Sequence, residues 1–373
     1  PLSFGPCPEY EAMIRPPEEQ KRDAPAPRLT ATIAVPLEPE LVKLIARSDD
    51  NLEVLYEPGL LPPPRFQGDH RGAEDFCRSA AEEERWQTML ARAEVLFGIP
   101  GDTPAGLAAA VRSNPGLRWV QAMAAGAGEQ VRAAGLSAAE LERVTVTTTA
   151  GIHAVPLAEF CLFGLLAFAR GLPRLQADQQ ARRWGHYPVP ELTGRRLVIA
   201  GLGQIGVEVA RLARAFGMEV IGVTRSGRSE SRDVAAVHPA SELPALLESA
   251  DALVISMPLT TETEGLIDGA TLARLKPGAT LVNVGRGGVI DEEALVQALR
   301  DGRIAGAALD VFTHEPLPAD SPLWELPNVI ISPHTAALSV HENARIAERF
   351  VTNLELYRRG EPLLNRIDPQ LLY

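Results

Sequence analysis

The stretch VIAGLGQIGVEVARLARAFGMEVIGVTRSGR, Val198–Arg228, decides the fold. An apolar strand runs into Gly201, Gly203 and Gly206 at G-x-G-x-x-G spacing, a helix follows over Gln204–Phe216, and a second strand over Glu219–Val223. In a strand–turn–helix–strand unit of this kind the first glycine allows the tight turn. The second lets the backbone approach a pyrophosphate, and the third lets helix and strand pack closely. The phosphates then lie on the amides and positive dipole end of the helix, beside Gln204 and Ile205. Such a site ordinarily carries an acidic residue about 20 positions on, for the ribose 2′-OH. Here Thr224, Arg225 and Ser226 stand there. A guanidinium in that place suits a 2′-phosphate through charge-assisted hydrogen bonds, to which Thr224, Ser226 and local amides could add neutral ones. The expected cofactor is therefore NADP(H), with NAD(H) as the lesser alternative. A purely structural turn, an S-adenosylmethionine site, and a solvated Arg225 are the competing readings.

Outward from this unit, strands and helices alternate. Downstream come helix Ser241–Asp251, strand Ala252–Pro258, helix Gly269–Leu275, strand Ala279–Gly285, helix Asp291–Gly302, strand Ala305–Phe312 and the closing strand Asn328–His334. Upstream, strands are expected at Thr30–Pro36, Leu52–Pro58 and Ala93–Pro100, with a strand and loop in Gly116–Gly128 and an apolar helix over Val155–Arg170. Gly59–Glu84, rich in Pro, Gly and charge, reads as an insertion or long surface loop. This alternation predicts an α/β chain of two doubly wound parallel sheets, each covered by helices.

Composition narrows the function. With 373 residues, 46% hydrophobic and 23% charged, the chain has material for two cores. A net charge of -12 argues against a nucleic-acid partner, which needs clustered cations. Cys7, Cys77 and Cys161 form no CxxC pair, so a reducing compartment, the cytoplasm, is expected. Residues 1–29, Pro-rich and charged with no basic-then-apolar signal pattern, are expected to form a flexible tail. The apolar run Phe160–Ala169 is half the length of a membrane span and reads as a buried helix. No metal-ligand pattern is apparent.

Beyond the glycine turn, four segments carry a resemblance: SMPLTTETEGLI, LKPGATLVNVGRGGVIDEEAL, AALDVFTHEPLP and LPNVIISPHTAAL, in this order. Together the chain resembles the D-isomer-specific 2-hydroxyacid dehydrogenases over roughly Arg118–Ala337. The resemblance implies a flavodoxin-like substrate domain and a Rossmann coenzyme domain with a cleft between them. It places Arg286 as the substrate-binding arginine, Glu315 as the partner of His334, and His334 as the proton donor. It assigns Asp310 to the carboxamide, and Pro258, Thr263, Val284 and Gly285 to the cofactor side. Gly126, Ala127 and Gly128 fall in the loop whose amides hold the substrate carboxylate, although Gln130 stands where an aspartate often follows.

The chemistry of these residue types agrees. Keto-acid reduction needs a permanent bidentate cation, which arginine supplies, and a proton donor near neutral pH, for which histidine is the natural group. A glutamate beside that histidine favours the imidazolium and fixes its tautomer. Read singly, each has a plainer explanation: Arg286 a surface charge, Glu315-Pro316 a turn, His334 or His153 a capped strand end. The expected division is 30–148 with 336–373 for the substrate domain and 149–335 for the coenzyme domain. A homodimer is expected from the apolarity of the helix after His153. The expected function is reduction of a small 2-keto acid of glyoxylate or hydroxypyruvate type. The alternatives are a phosphoglycerate dehydrogenase, a nucleotide-sensing corepressor-like protein of the same fold, and a methyltransferase.

Overall fold

A computed structural model describes residues 28–368. The expected tail, except for its last two residues, and Cys7 lie outside the described residues. In chain order the first half contains β1 (Leu29–Ile33), α1 (Pro39–Ala46), β2 (Leu52–Leu55), α2 (Ala80–Arg92), β3 (Val95–Phe97), α3 (Pro104–Ser113), β4 (Trp119–Gln121), α4 (Gly128–Ala133), α5 (Ala138–Arg143) and β5 (Thr145–Thr147). Then come α6 (Ala154–Ala169), α7 (Leu172–Gln180), β6 (Arg196–Ala200), α8 (Gln204–Ala215), β7 (Glu219–Thr224), β8 (Ala236–Pro239), α9 (Leu243–Leu247) and β9 (Ala252–Ile255). The chain closes with α10 (Gly269–Leu272), β10 (Ala279–Asn283), α11 (Glu292–Arg300), β11 (Ile304–Leu309), β12 (Val329–Ile331) and α12 (Glu342–Arg359).

Two parallel sheets result, a five-stranded one in the order β2-β1-β3-β4-β5 and a seven-stranded one in the order β12-β11-β10-β9-β6-β7-β8. Their central strands are buried on both faces, as the fully buried runs Val95–Phe97, Ala252–Ile255 and Ala279–Asn283 show. Apolar clusters cover each sheet on both sides. The strand order reverses beside β6, so the glycine turn at its carboxyl end stands at a switch point, where open parallel sheets bind ligands.

Helix α12 returns to the first sheet. Phe350 stacks on Trp119 at 4.8 Å and meets Phe97 edge-on at 5.1 Å. The chain thus passes between the sheets twice, through Thr148–His153 and again between β12 and α12.

Several expectations are corrected. The charged stretch after β2 is irregular only to Ser79, because Ser79 and Glu82 form a capping box that starts α2 at Ala80. Strand β8 and helices α3, α4, α5 and α7 were not expected from the sequence, being short or weakly periodic. Helix α6 buries most of its apolar residues within its own chain, against α8, β10 and β11. Its composition therefore carries less of the dimer argument than the sequence suggested. Among the described residues no single helix is long and apolar enough to cross a membrane.

Candidate active site

The glycine turn has the shape its spacing implies. Gly201 has φ +106°, and a Cβ there would lie 2.8 Å from the Met257 amide nitrogen. A Cβ on Gly206 would lie 2.0 Å from the Gly201 carbonyl oxygen, so both positions exclude side chains. At Gly203, the N-cap of α8, a Cβ would meet nothing within 4 Å. The turn is closed behind and open in front, which fits a pyrophosphate on the first amides of α8. Ser256, which the sequence reading missed, braces it by donating to the Gly201 carbonyl at 2.8 Å. Gln204 is exposed at the helix start and Ile205 half-buried.

At the end of β7 the Thr224 hydroxyl accepts from the Arg228 amide (3.1 Å) and donates to the Arg228 carbonyl (3.2 Å). It is thus engaged in its own turn. Arg225, Ser226 and Arg228 are exposed, and neither guanidinium has a hydrogen-bond or ion-pair partner among the described residues. Beyond β9, the Thr263 hydroxyl donates to the Pro258 carbonyl at 2.7 Å and accepts from the Thr260 amide at 2.8 Å. That loop is tied to itself.

After β10, Val284 and Gly285 are buried and Arg286 is half-exposed. Asn283, also missed, donates to the Arg286 carbonyl (3.1 Å) and accepts from the Gly285 amide (3.0 Å), holding the arginine's backbone. The guanidinium donates to the Gly285 carbonyl at 2.8 Å and pairs with no carboxylate among the described residues. Its Nη2 lies 3.1 Å from where a Cβ on Gly126 would stand. The loop Gly126–Gly128 of the first sheet and Arg286 of the second are therefore face to face, and a side chain at position 126 would press on the guanidinium. Ala127 and Gly128, at the start of α4, are buried. Gln130 ties this loop to Asp102, donating to its carbonyl and carboxylate at 3.1 Å each.

Beyond β11 and β12 the remaining groups converge. Glu315 accepts from the Phe312 amide at 3.0 Å with one oxygen and meets His334 Nδ1 at 2.6 Å with the other. A carboxylate only accepts, so Nδ1 carries the hydrogen and Nε2 is left for another partner. His334 sits in the left-handed region at φ +56°, so it is not the simple capped strand end of the plainer reading. Asp310 is buried at 1% exposure, accepting from the Ser332 hydroxyl (2.5 Å) and the Ala336 amide (2.9 Å). Burial pushes its carboxyl above the ordinary range.

His153 is also no strand end. Its backbone is the N-cap of α6, and its ring meets Glu342 at 3.1 Å across the two crossings between the sheets. Among the described residues no three His, Cys, Asp or Glu side chains gather as metal ligands.

Residues 162–336 match the family model "D-isomer specific 2-hydroxyacid dehydrogenase, NAD binding domain". A glyoxylate reductase of Korarchaeum cryptofilum is 38% identical over 237 residues, 61% of this chain and 70% of the relative. Two solved structures are 31% identical. A D-isomer specific 2-hydroxyacid dehydrogenase family protein of Aeromonas salmonicida covers 92% of this chain and 99% of its own, with a TM-score of 0.72. A D-isomer specific 2-hydroxyacid dehydrogenase of Xanthobacter autotrophicus Py2, in complex with NADPH and MES, covers 93% and 100%, with a TM-score of 0.71.

Proposed function

Because the chain belongs to the D-isomer specific 2-hydroxyacid dehydrogenase family and is an NAD(P)-dependent oxidoreductase, we propose that it reduces a small 2-keto acid, glyoxylate or hydroxypyruvate, with NADPH preferred over NADH. What supports this reading is that Arg286, paired with no carboxylate, faces Gly126 across the two sheets, while the His334–Glu315 pair follows the carboxyl ends of the neighbouring strands β11 and β12.

Arg286 and the loop amides hold the substrate carboxylate, and Arg286 also stabilises the charge that grows on the keto oxygen. His334 gives the proton from Nε2 to that oxygen, becoming neutral, while Glu315 fixes the ring through Nδ1. The bound nicotinamide supplies the hydride. Gly201, Gly203, Gln204, Ile205 and Gly206 hold the pyrophosphate, Asp310 takes a hydrogen bond from the carboxamide, and Pro258, Thr263, Val284 and Gly285 line the cofactor side. Arg225 and Arg228, both free to turn, meet the 2′-phosphate, which favours NADPH.

The division is 30–148 with 336–373 for the substrate and 149–335 for the coenzyme. Assembly is a homodimer through exposed apolar groups of the α6–α7 region, Phe163 and Leu175 at 48% exposure and Trp184 at 91%. A cytoplasmic setting is supported by free Cys77 and Cys161. Initial rates with glyoxylate and hydroxypyruvate, each with NADPH and NADH, test the assignment. Turnover on either acid with a higher kcat/KM for NADPH is expected, and no turnover with any pair overturns it. A single-subunit mass in sedimentation at micromolar concentration overturns the dimer.

A further inference from the structure

The insertion after β2 borders an open cavity of about 550 Å³ at the carboxyl ends of β1 and β2. Its walls are Leu37, Tyr56, Leu61, Phe66 and Phe76 with a run of prolines. None of Gly126, Arg286, Glu315 or His334 lines it. Carboxyl ends of parallel strands are where such sheets take ligands, so this is a second place of that kind.

The polar part of the cavity is small and built. Asn343, 6% exposed at the start of α12, receives His70 Nε2 on its Oδ1 at 2.8 Å and donates to Glu38 at 2.9 Å. The other Glu38 oxygen takes no donor among the described residues, and no cation reaches this carboxylate. Asp69, also in the lining, is different: Arg65 binds it with 2.7 and 3.1 Å contacts. The neighbouring Arg78 is held to Glu83 at 3.3 Å. One partly exposed carboxylate without a cation therefore lines an apolar chamber with three aromatic rings, of which Phe66 lies under Arg65 and Phe76 under Arg78. That combination selects an apolar body ending in a single positive charge, the charge on the carboxylate and the body against the rings.

We propose that this cavity is a second ligand site, distinct from the keto-acid site, which takes a small organic ammonium ion of arylalkylamine type with its charge on Glu38. The insertion connects the site to the loop that carries His334. Gln67 donates to the Val340 carbonyl at 2.8 Å, and Asn343 begins α12, so both second-crossing contacts touch the cavity. Occupancy therefore alters keto-acid turnover, a consequence that rests on the proposed function.

Calorimetric titration of the full chain with 2-phenylethylamine, without substrate, tests the site itself. Saturable binding at one site per chain is expected. Glu38→Gln should weaken it about tenfold or more, as the loss of a charge-assisted bond implies. Phe66→Ala, at a half-exposed ring whose loss leaves folding intact, should weaken it too. Arg286→Ala should leave it unchanged, and phenylacetate should show no binding that survives Arg286→Ala. Absence of saturable binding, undiminished binding in Glu38→Gln, loss in Arg286→Ala, or phenylacetate binding equally in Arg286→Ala would each overturn the proposal. None of these results depends on reductase activity, so the two readings fail separately.

Discussion

Two buried carboxylates, one beside each sheet, have opposite electrostatics. Asp69, in the insertion of the first half, accepts from the Arg65 guanidinium at 2.7 and 3.1 Å, from the Arg65 amide at 2.9 Å and from the Gly72 amide at 3.1 Å. The guanidinium bond above all holds its carboxyl well below the usual range. Asp310, in the second half, is as deeply buried but is bound by the Ser332 hydroxyl and the Thr335 and Ala336 amides with no guanidinium, and burial pushes its carboxyl up. The first is satisfied by its own loop and serves that loop. The second keeps a raised carboxyl beside the proposed cofactor site, as binding sites do. Arg286 and Arg65 differ in the same way: one guanidinium is free of carboxylates, the other is held by one.

The largest effect is expected where a free group is removed from the cleft. Arg286→Ala should cost about 2.7–4 kcal/mol in the barrier, the typical loss of one oxyanion donor, with both kcat and KM for the keto acid affected. Near-normal kcat/KM in this variant removes the arginine from the site. Next, Glu315→Gln replaces the anionic acceptor that holds His334 at 2.6 Å with a neutral amide. Because the ring loses the anion that fixes its tautomer, reductive kcat should fall about tenfold or more. An unchanged kcat breaks the pairing. Smaller again is Arg225→Ala, whose NADPH preference over NADH should fall about tenfold, the worth of one charge-assisted bond. If native enzyme uses both cofactors equally, or the preference outlives the substitution, the exposed guanidinium belongs to the solvent.

The two halves were unequally legible. In the second, β-rich runs such as ALVI and ATLVN are buried on both faces and read as central parallel strands, and three glycines marked a turn that tolerates no side chains at two of them. Arg286, Glu315 and His334 each follow a strand end, so topology alone gathers them. Individual polar bonds were not legible. Nothing in the local pattern foretold that Thr224 and Thr263 would spend their hydroxyls on their own turns, or that Asn283 and Ser256 would brace the loops. The insertion was least legible, because its anchors join residues 273 positions apart, Gln67 to Val340 and His70 to Asn343. Apolar content in α6 was legible only as burial, since it does not say against what.

The smallest effects separate the two carboxylates most directly. Asp69, with its lowered carboxyl, contributes stability that is present above the unfolded value of about 3.9 and lost as pH falls through the folded one. Asp69→Asn should therefore cost about 1 kcal/mol at pH 7, a modest figure because Arg65 is 44% exposed, and its cost should shrink in acid. Asp310 runs the other way. Its raised carboxyl contributes stability present below about 3.9 and lost as pH rises, so Asp310→Asn should cost less at pH 7 than in acid, and less than Asp69→Asn. An asparagine at 310 keeps an oxygen for Ser332 and Ala336 while replacing the other oxygen with a donor that opposes a carboxamide N–H. Stability should thus be nearly spared while the KM for NADPH rises. Urea midpoints at pH 7 and pH 4 for both variants, with KM for the cofactor at pH 7, decide the matter. If Asp310→Asn destabilises as much as Asp69→Asn and leaves KM alone, then Asp310 is a structural carboxylate after all, and the contrast between the halves collapses.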